Sequence, residues 1–186
     1  MDCLKEWLLA RDYLLGFNGY RQDINLALKL ASSCQHPDAV FLTSIVAGRE
    51  ISSAAEAREL FLEHRSDPRA LCFAAMVDAC SHDGELQEAA DMGCALAQGE
   101  LAGRCEDGDD KFQLAFRSAN QGERVGFYWL AVCFHQGEGC QIDEDRAKDL
   151  YKKAVDLDDA GKKEWFFTFV SKMISCRFLE RPGQLV

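Results

Sequence analysis

FHQGEGCQIDEDRAKDLYKKA, residues 134–154, places Gly137 and Gly139 one residue apart, then Asp143, and then Ala147, Leu150, Tyr151 and Ala154 at helical spacing. Two readings compete: a glycine loop that cradles a phosphate and feeds a helix, or the corner between two helices of a repeat. A phosphate loop of the Walker kind needs GxxxxGK followed by Ser or Thr, because backbone N–H groups must converge on the anion and the Lys must reach it. The loop GEGCQIDED has no Lys and four acidic side chains. An interhelix corner, by contrast, commonly needs a positive φ, which Gly adopts without a Cβ penalty. Asp143 can then accept from the free N–H groups that open the second helix. The stretch therefore reads as a structural corner.

The same pattern returns along the chain. HPDAVFLTSIV (36–46) aligns with DPRALCFAAMV (67–77), matching Pro37 with Pro68 and Ala39 with Ala70 at an offset of 31 residues. AADMGCALAQGELAGRC (89–105) aligns with SANQGERVGFYWLAVCF (118–134) at an offset of 29, matching Gly93 with Gly122 and Leu101 with Leu130. With one residue inserted, Leu9, Ala10, Tyr13, Gly16, Gly19, Asp23 and Ala27 answer Leu130, Ala131, Phe134, Gly137, Gly139, Asp143 and Ala147. Internal repeats of this length mark stacked architectures. About five units of about 29 to 35 residues tile residues 1–160. Each unit carries apolar residues at helical spacing, a Gly-containing corner and a second amphipathic helix. AVFLTSIV alone would also pass for a buried strand, and its Ala-rich counterpart ALCFAAMV decides for helix. The expected fold is all-α, with little or no sheet.

The order Leu130, Ala131, Phe134, Gly137, Gly139, Asp143, Ala147, Tyr151, Lys153, Ala154 resembles the Sel1-like repeat, a helical-hairpin relative of the tetratricopeptide repeat. The unit at 130–154 matches well, the first unit moderately and the middle three weakly, their corners being shortened or rewritten. The resemblance implies a right-handed α-α superhelix, a solenoid of helical hairpins that binds protein or peptide partners and performs no catalysis. Some members are stapled by a disulfide in each repeat; Cys94 lies near such a position, but Leu86 occupies the place of its partner, which disfavours that subclass here.

Charge narrows the partners. The formal net charge is −10 with a pI near 4.9, which repels nucleic-acid phosphates and anionic lipid. Residues from Gly161 onward hold five Lys or Arg against two Glu, so a basic end follows an acidic array. No apolar run reaches the roughly 18 residues of a membrane span, and the charged MDCLKEWLLARDYLL start lacks the unbroken stretch of a signal peptide. Nine cysteines, an odd number with several inside apolar stretches, fit a reduced, intracellular and cytoplasmic setting.

Chemistry-bearing motifs are sparse. CEDGDD (105–110) lacks the alternating ligands of a calcium loop. Three Cys-x-His pairs occur, Cys34 with His36, Cys80 with His82 and Cys133 with His135, but their spacing and the separation of repeat units do not gather four zinc ligands. The expectation is no metal and no cofactor, with exposed His beside buried Cys. A Cys/His-dependent hydrolase is the enzymatic alternative, and a structural subunit of a larger complex the third; the sequence leaves the oligomeric state open.

The concave side of such a ribbon usually carries the binding surface. With Gly126, Leu130 and Phe134 facing inward, Tyr128 and Val132 fall on the open side. Carrying those two positions through the repeats gives Trp7, Phe41, Cys72 and Gly99, and Arg11, Ile45, Met76 and Gly103. The candidate stripe is therefore Trp7, Arg11, Phe41, Ile45, Cys72, Met76, Tyr128 and Val132, residue types enriched at interfaces; packing against neighbouring helices is the competing reading. KKEWFFTFVSKMISCRFLE is read as a capping helix within residues 161–186, covering the last repeat, with a membrane surface or partner groove as the alternative.

Overall fold

The structure, a computed structural model, describes residues 3–17, 19–46, 48–78 and 82–157. The segment 161–186, read above as a cap, lies outside the described residues. Among those described there are helices and no strands: α1 (Cys3–Leu15), α2 (Ile24–Ser32), α3 (Pro37–Val46), α4 (Ala54–Leu62), α5 (Pro68–Met76), α6 (Asp83–Asp91), α7 (Ala95–Arg104), α8 (Gly108–Asn120), α9 (Arg124–Gln136) and α10 (Glu144–Asp156). Consecutive helices pack along the chain, and α7 also packs on α9. The all-α solenoid expected from the periodicity is the observed fold. No helix among the described residues is long and apolar enough to cross a membrane.

The residues that define the repeat adopt matching geometry. Gly16, Gly19, Gly137 and Gly139 all have φ between +67° and +74°, the left-handed region that the corner requires and that Gly enters without strain. After the first corner the Asp23 N–H donates to the Tyr13 carbonyl at 2.9 Å, and after the last the Asp143 N–H donates to the Phe134 carbonyl at 2.9 Å. Each Asp then caps the following helix, accepting from the Leu26 and Arg146 N–H groups, which satisfies donors that have no intrahelical partner. Pro37 and Pro68 open α3 and α5, where a missing N–H costs nothing.

Small residues set the helix spacing. Ala27, Ala57, Ala89, Ala115 and Ala147, one on each of α2, α4, α6, α8 and α10, are buried completely or nearly so. Across them a continuous core runs from α1 to α7 through Trp7, Leu14, Leu42, Phe61, Leu71 and Phe73. A second cluster joins α7 to α10 around Ala102, Ala115, Ala119 and Leu130, flanked by Phe112, Trp129 and Phe134. The tightest crossing is α8 on α9. A Cβ on Gly126 would overlap the Ala119 backbone nitrogen and the Ser118 Oγ, while Ser118 Oγ, completely buried, donates to the Ala95 carbonyl of the α7 N-terminus at 2.7 Å. Gly126 is thus a contact residue whose side chain is absent because three helices meet there.

A matched pair of substitutions tests this. Gly126→Ala forces α8 and α9 apart and lowers unfolding stability by about 1 to 3 kcal/mol. Gly84→Ala, on α6 with open space around the added methyl, leaves stability unchanged or raises it by about 0.4 to 1 kcal/mol. Urea denaturation followed by circular dichroism measures both.

Candidate functional site

The winding of the array brings α1 back against the start of α9. Arg11 of α1 donates from both terminal nitrogens to the Glu123 carboxylate, at 2.7 and 3.0 Å. Its neighbour Asp12 receives the guanidinium of Arg124 at 2.8 and 3.2 Å. Two adjacent residues on α1 thus grip two adjacent residues 112 positions away, with the charges crossed. All are withdrawn from water: Arg11, Asp12 and Arg124 are 3 %, 1 % and 7 % exposed, and the Glu123 side chain 11 %. Removing one member of such a buried pair leaves an uncompensated charge in a low-dielectric interior.

The electrostatics follow the geometry. Burial opposes the charge on Glu123, but Arg11 and then Arg124 outweigh it and hold its carboxyl below the ordinary range. Burial likewise opposes the charge on Arg11, and Glu123 with Asp12 raises it above its ordinary value. Glu123 also accepts from the Val125 N–H at the start of α9. Among the described residues, nearby Glu100 has no such guanidinium clamp: burial pushes it above its ordinary value, only partly offset by Arg11 and Arg104.

A cavity of about 460 Å³ sits beside this closure. One wall is α1, through Leu4, Trp7, Leu8 and Arg11; the opposite rim collects the N-terminal ends of α3, α5, α7 and α9, bringing His36, Asp38, Asp67, Arg69, Cys94 and Glu123 to the same space. Trp7 stacks on His36 with ring centroids 5.7 Å apart and planes 9° from parallel, and meets Phe73 edge-on at 6.1 Å. Arg69 lies 3.8 Å over the Phe41 ring and is held by Asp67 and Asp38. His36 Nδ1 accepts from the Asp38 N–H, and burial lowers the His36 pKa against the opposing charge of Asp38. With Nδ1 accepting, a neutral ring carries its proton on Nε2. Among the described residues the Arg11 Nε, itself shut off from the surface, has no acceptor within the protein.

These placements revise the candidate stripe. Trp7, Arg11, Ile45, Cys72 and Val132 are buried, and only Phe41, Met76 and Tyr128 keep partial exposure. Phe41 lies under Arg69, Met76 sits 3.5 Å from the Cys72 sulfur, and Tyr128 packs on Trp129 and Tyr151. The eight do not form an open band, because α3, α5 and α9 are apolar on most of their circumference and are covered by neighbours on several sides. Trp7 and Arg11 alone line the cavity. The companion positions differ too: a Cβ on Gly99 would press on Ser118 and Val125, and one on Gly103 on the Trp129 ring. His36 is likewise a cavity residue rather than a freely exposed one. Among the described residues no three His, Cys, Asp or Glu side chains converge as a metal ion would need.

The sequence reading missed Glu123, Arg124 and Asp12. The available signal was the pair Arg11–Asp12 inside WLLARDYLL, since charges embedded in an apolar helix need partners. The two glutamates give opposite predictions. Glu123→Gln strips Arg11 of its counter-charge and costs about 3 kcal/mol at pH 7, whereas Glu100→Gln is neutral or stabilising there. The Glu123 contribution is present above the unfolded carboxyl value of about 4.3 and is lost as pH falls through the lower folded value. For Glu100 the sign is reversed: its penalty is absent below the unfolded value and complete above the raised folded one. Denaturation curves of the three proteins from pH 3 to pH 8 separate the cases, the two endpoints spanning roughly the carboxyl titration range.

No protein-family profile matches the sequence, and no curated protein matches it. Solved structures do. A protective antigen present in uropathogenic Escherichia coli strains, displaying an SLR fold, superposes with a TM-score of 0.50 at 20 % identity over 83 % of this chain. A Sel1 repeat protein from Oxalobacter formigenes gives a TM-score of 0.49 at 16 % identity over 82 % of this chain. The chain spans 38 % of the length of the first protein and 51 % of the second. The paired-glycine corners, the Asp caps that follow them and the superposition on the antigen lead to one conclusion: the chain has the Sel1-like repeat fold.

Proposed function

We propose that the chain is a non-enzymatic protein-interaction module that takes a short extended peptide segment of a partner in the cavity between α1 and the N-termini of α3, α5, α7 and α9. The observation that supports this most is the lining of that cavity, where His36, Arg69 and the N-terminal ends of α3, α5, α7 and α9 face the apolar wall of α1. His36 lines the cavity with a ring that can donate, and the positive ends of four helices favour acceptor oxygens. The rim carboxylates of Asp38, Asp67 and Glu123 compensate formal positive charge, so neutral peptide carbonyls suit the site better than phosphates. Trp7, Phe73 and Leu8 offer an apolar bed for a side chain beside those carbonyls, the usual composition of a ligand pocket.

Catalysis has less support. Burial pushes the Cys133 thiol up to about 12 and raises Cys34, so the described Cys-x-His pairs hold thiols poorly suited to attack a substrate bound in the cavity, which neither thiol lines. The geometry instead offers donors and apolar surface without an activated group aimed at them.

Panning a displayed peptide library on the immobilised protein, then measuring selected peptides by fluorescence anisotropy, tests the reading. His36→Ala and Arg69→Ala, both at the rim, are expected to weaken binding by about tenfold or more, equivalent to 1.4 kcal/mol. Lys152→Ala, on the exposed side of α10, leaves it unchanged. Selected peptides that bind all three variants equally well would place the interaction elsewhere.

A further inference from the structure

We propose that Cys3 and Cys34 form a redox-modification site: a pair of thiols that a small disulfide oxidant converts into a cross-link between α1 and the corner joining α2 to α3. The two sulfurs lie 3.1 Å apart, about 1 Å beyond the length of a disulfide bond. They belong to different elements, Cys3 being the first residue of α1 and Cys34 following the end of α2. The Cys34 sulfur is held in place from both sides, donating to the Cys3 carbonyl at 3.1 Å and accepting from the His36 N–H at 3.3 Å. Closing the bond requires the sulfurs to approach by about 1 Å.

Access and chemistry set the order of events. Cys3 is partly exposed and Cys34 is buried, and burial raises the Cys34 thiol with the Cys3 contact adding to it. Cys3 thiolate attacks one sulfur of glutathione disulfide, breaking its S–S bond and releasing one glutathione thiolate, which takes up the Cys3 proton. Cys34 then attacks the Cys3 sulfur of the mixed disulfide and releases the second glutathione, its own proton leaving with that thiolate. Two protein thiols are oxidised to one disulfide, and one glutathione disulfide is reduced to two glutathiones. Cys72, whose thiol donates to the Met76 sulfur, and Cys94 are both buried and so are slower to react.

The position gives the bond a consequence. Trp7 lies one helical turn beyond Cys3, and His36 two residues beyond Cys34, so the sulfur pair and the Trp7–His36 stack are successive rungs of one contact. Oxidation adds a covalent tie between the α1 wall of the cavity and its α3 rim; reduction removes that tie and leaves the stack. This stands on the sulfur geometry alone and does not depend on what the cavity binds.

The test incubates the full chain with glutathione disulfide, blocks remaining thiols by alkylation and maps peptides by mass spectrometry without reduction. The expected product is a monomer in which the Cys3 and Cys34 peptides are joined and lighter by two hydrogens. Its thermal midpoint lies several degrees above that of the reduced protein, a shift abolished in Cys34→Ser and in Cys3→Ser, the latter at a partly exposed position that spares the core. Alkylation of both Cys3 and Cys34 after oxidation, separate glutathione adducts on each, joining of either to another cysteine, or a cross-linked dimer would overturn the proposal.

Discussion

Four charges removed from water hold the ends of this array together. Arg11 and Asp12 on the first helix meet Glu123 and Arg124 at the start of the ninth, and each cation lies against one carboxylate while sitting next to the other pair. A solenoid repeat needs only its neighbours to be stable, so contact between α1 and α9 is an addition to the repeat logic. Burying the four groups carries a large desolvation cost, which only good geometry and complete pairing offset. Net stability is thus a weak reason for their presence; fixing which surfaces meet is a better one. One wall of the cavity is α1, and α9 supplies part of its rim, so the closure also defines the space where a ligand would lie.

The hairpin itself was legible residue by residue. Gly137, Gly139 and Asp143 state a local rule: two positive-φ positions, then a cap. The rule transfers to Gly16, Gly19 and Asp23 because local geometry depends on local sequence. Pro37 with Pro68, and Gly93 with Gly122, occupy equivalent helix starts and corners for the same reason. The site was much less legible. Exposure along Trp7, Ile45, Cys72 and Val132 depended on how many neighbours each helix acquires, and a helix apolar on all sides does not announce which side stays open. Gly99, Gly103 and Gly126 carried a signal in retrospect, since glycine inside a helix costs stability unless a close approach requires it. The pairing of Arg11 with Glu123 depends on superhelical winding accumulated over more than a hundred residues, and no motif encodes that sum.

The cavity combines features that belong together. Its floor has aromatic faces in Trp7 and Phe73, and its rim has compensated charges in Arg69 with Asp38 and Asp67. The sulfur pair at Cys3 and Cys34 sits one turn outside that floor. Structure near the α1 start is therefore where charge closure, ligand space and thiol chemistry meet, all on a helix whose sequence shows mostly apolar residues with Lys5, Glu6, Arg11 and Asp12 among them.

The most direct measurement is a charge-exchange cycle on the closure, comparing unfolding free energies of Arg11→Glu, Glu123→Arg and the double exchange with the parent protein. Each single exchange puts like charges in contact and is destabilising, while the double exchange restores an opposite pair and recovers most of the loss. Losses that simply add, leaving the double variant as unstable as the sum of the singles, would mean that α1 and α9 are not in contact and that the array does not close.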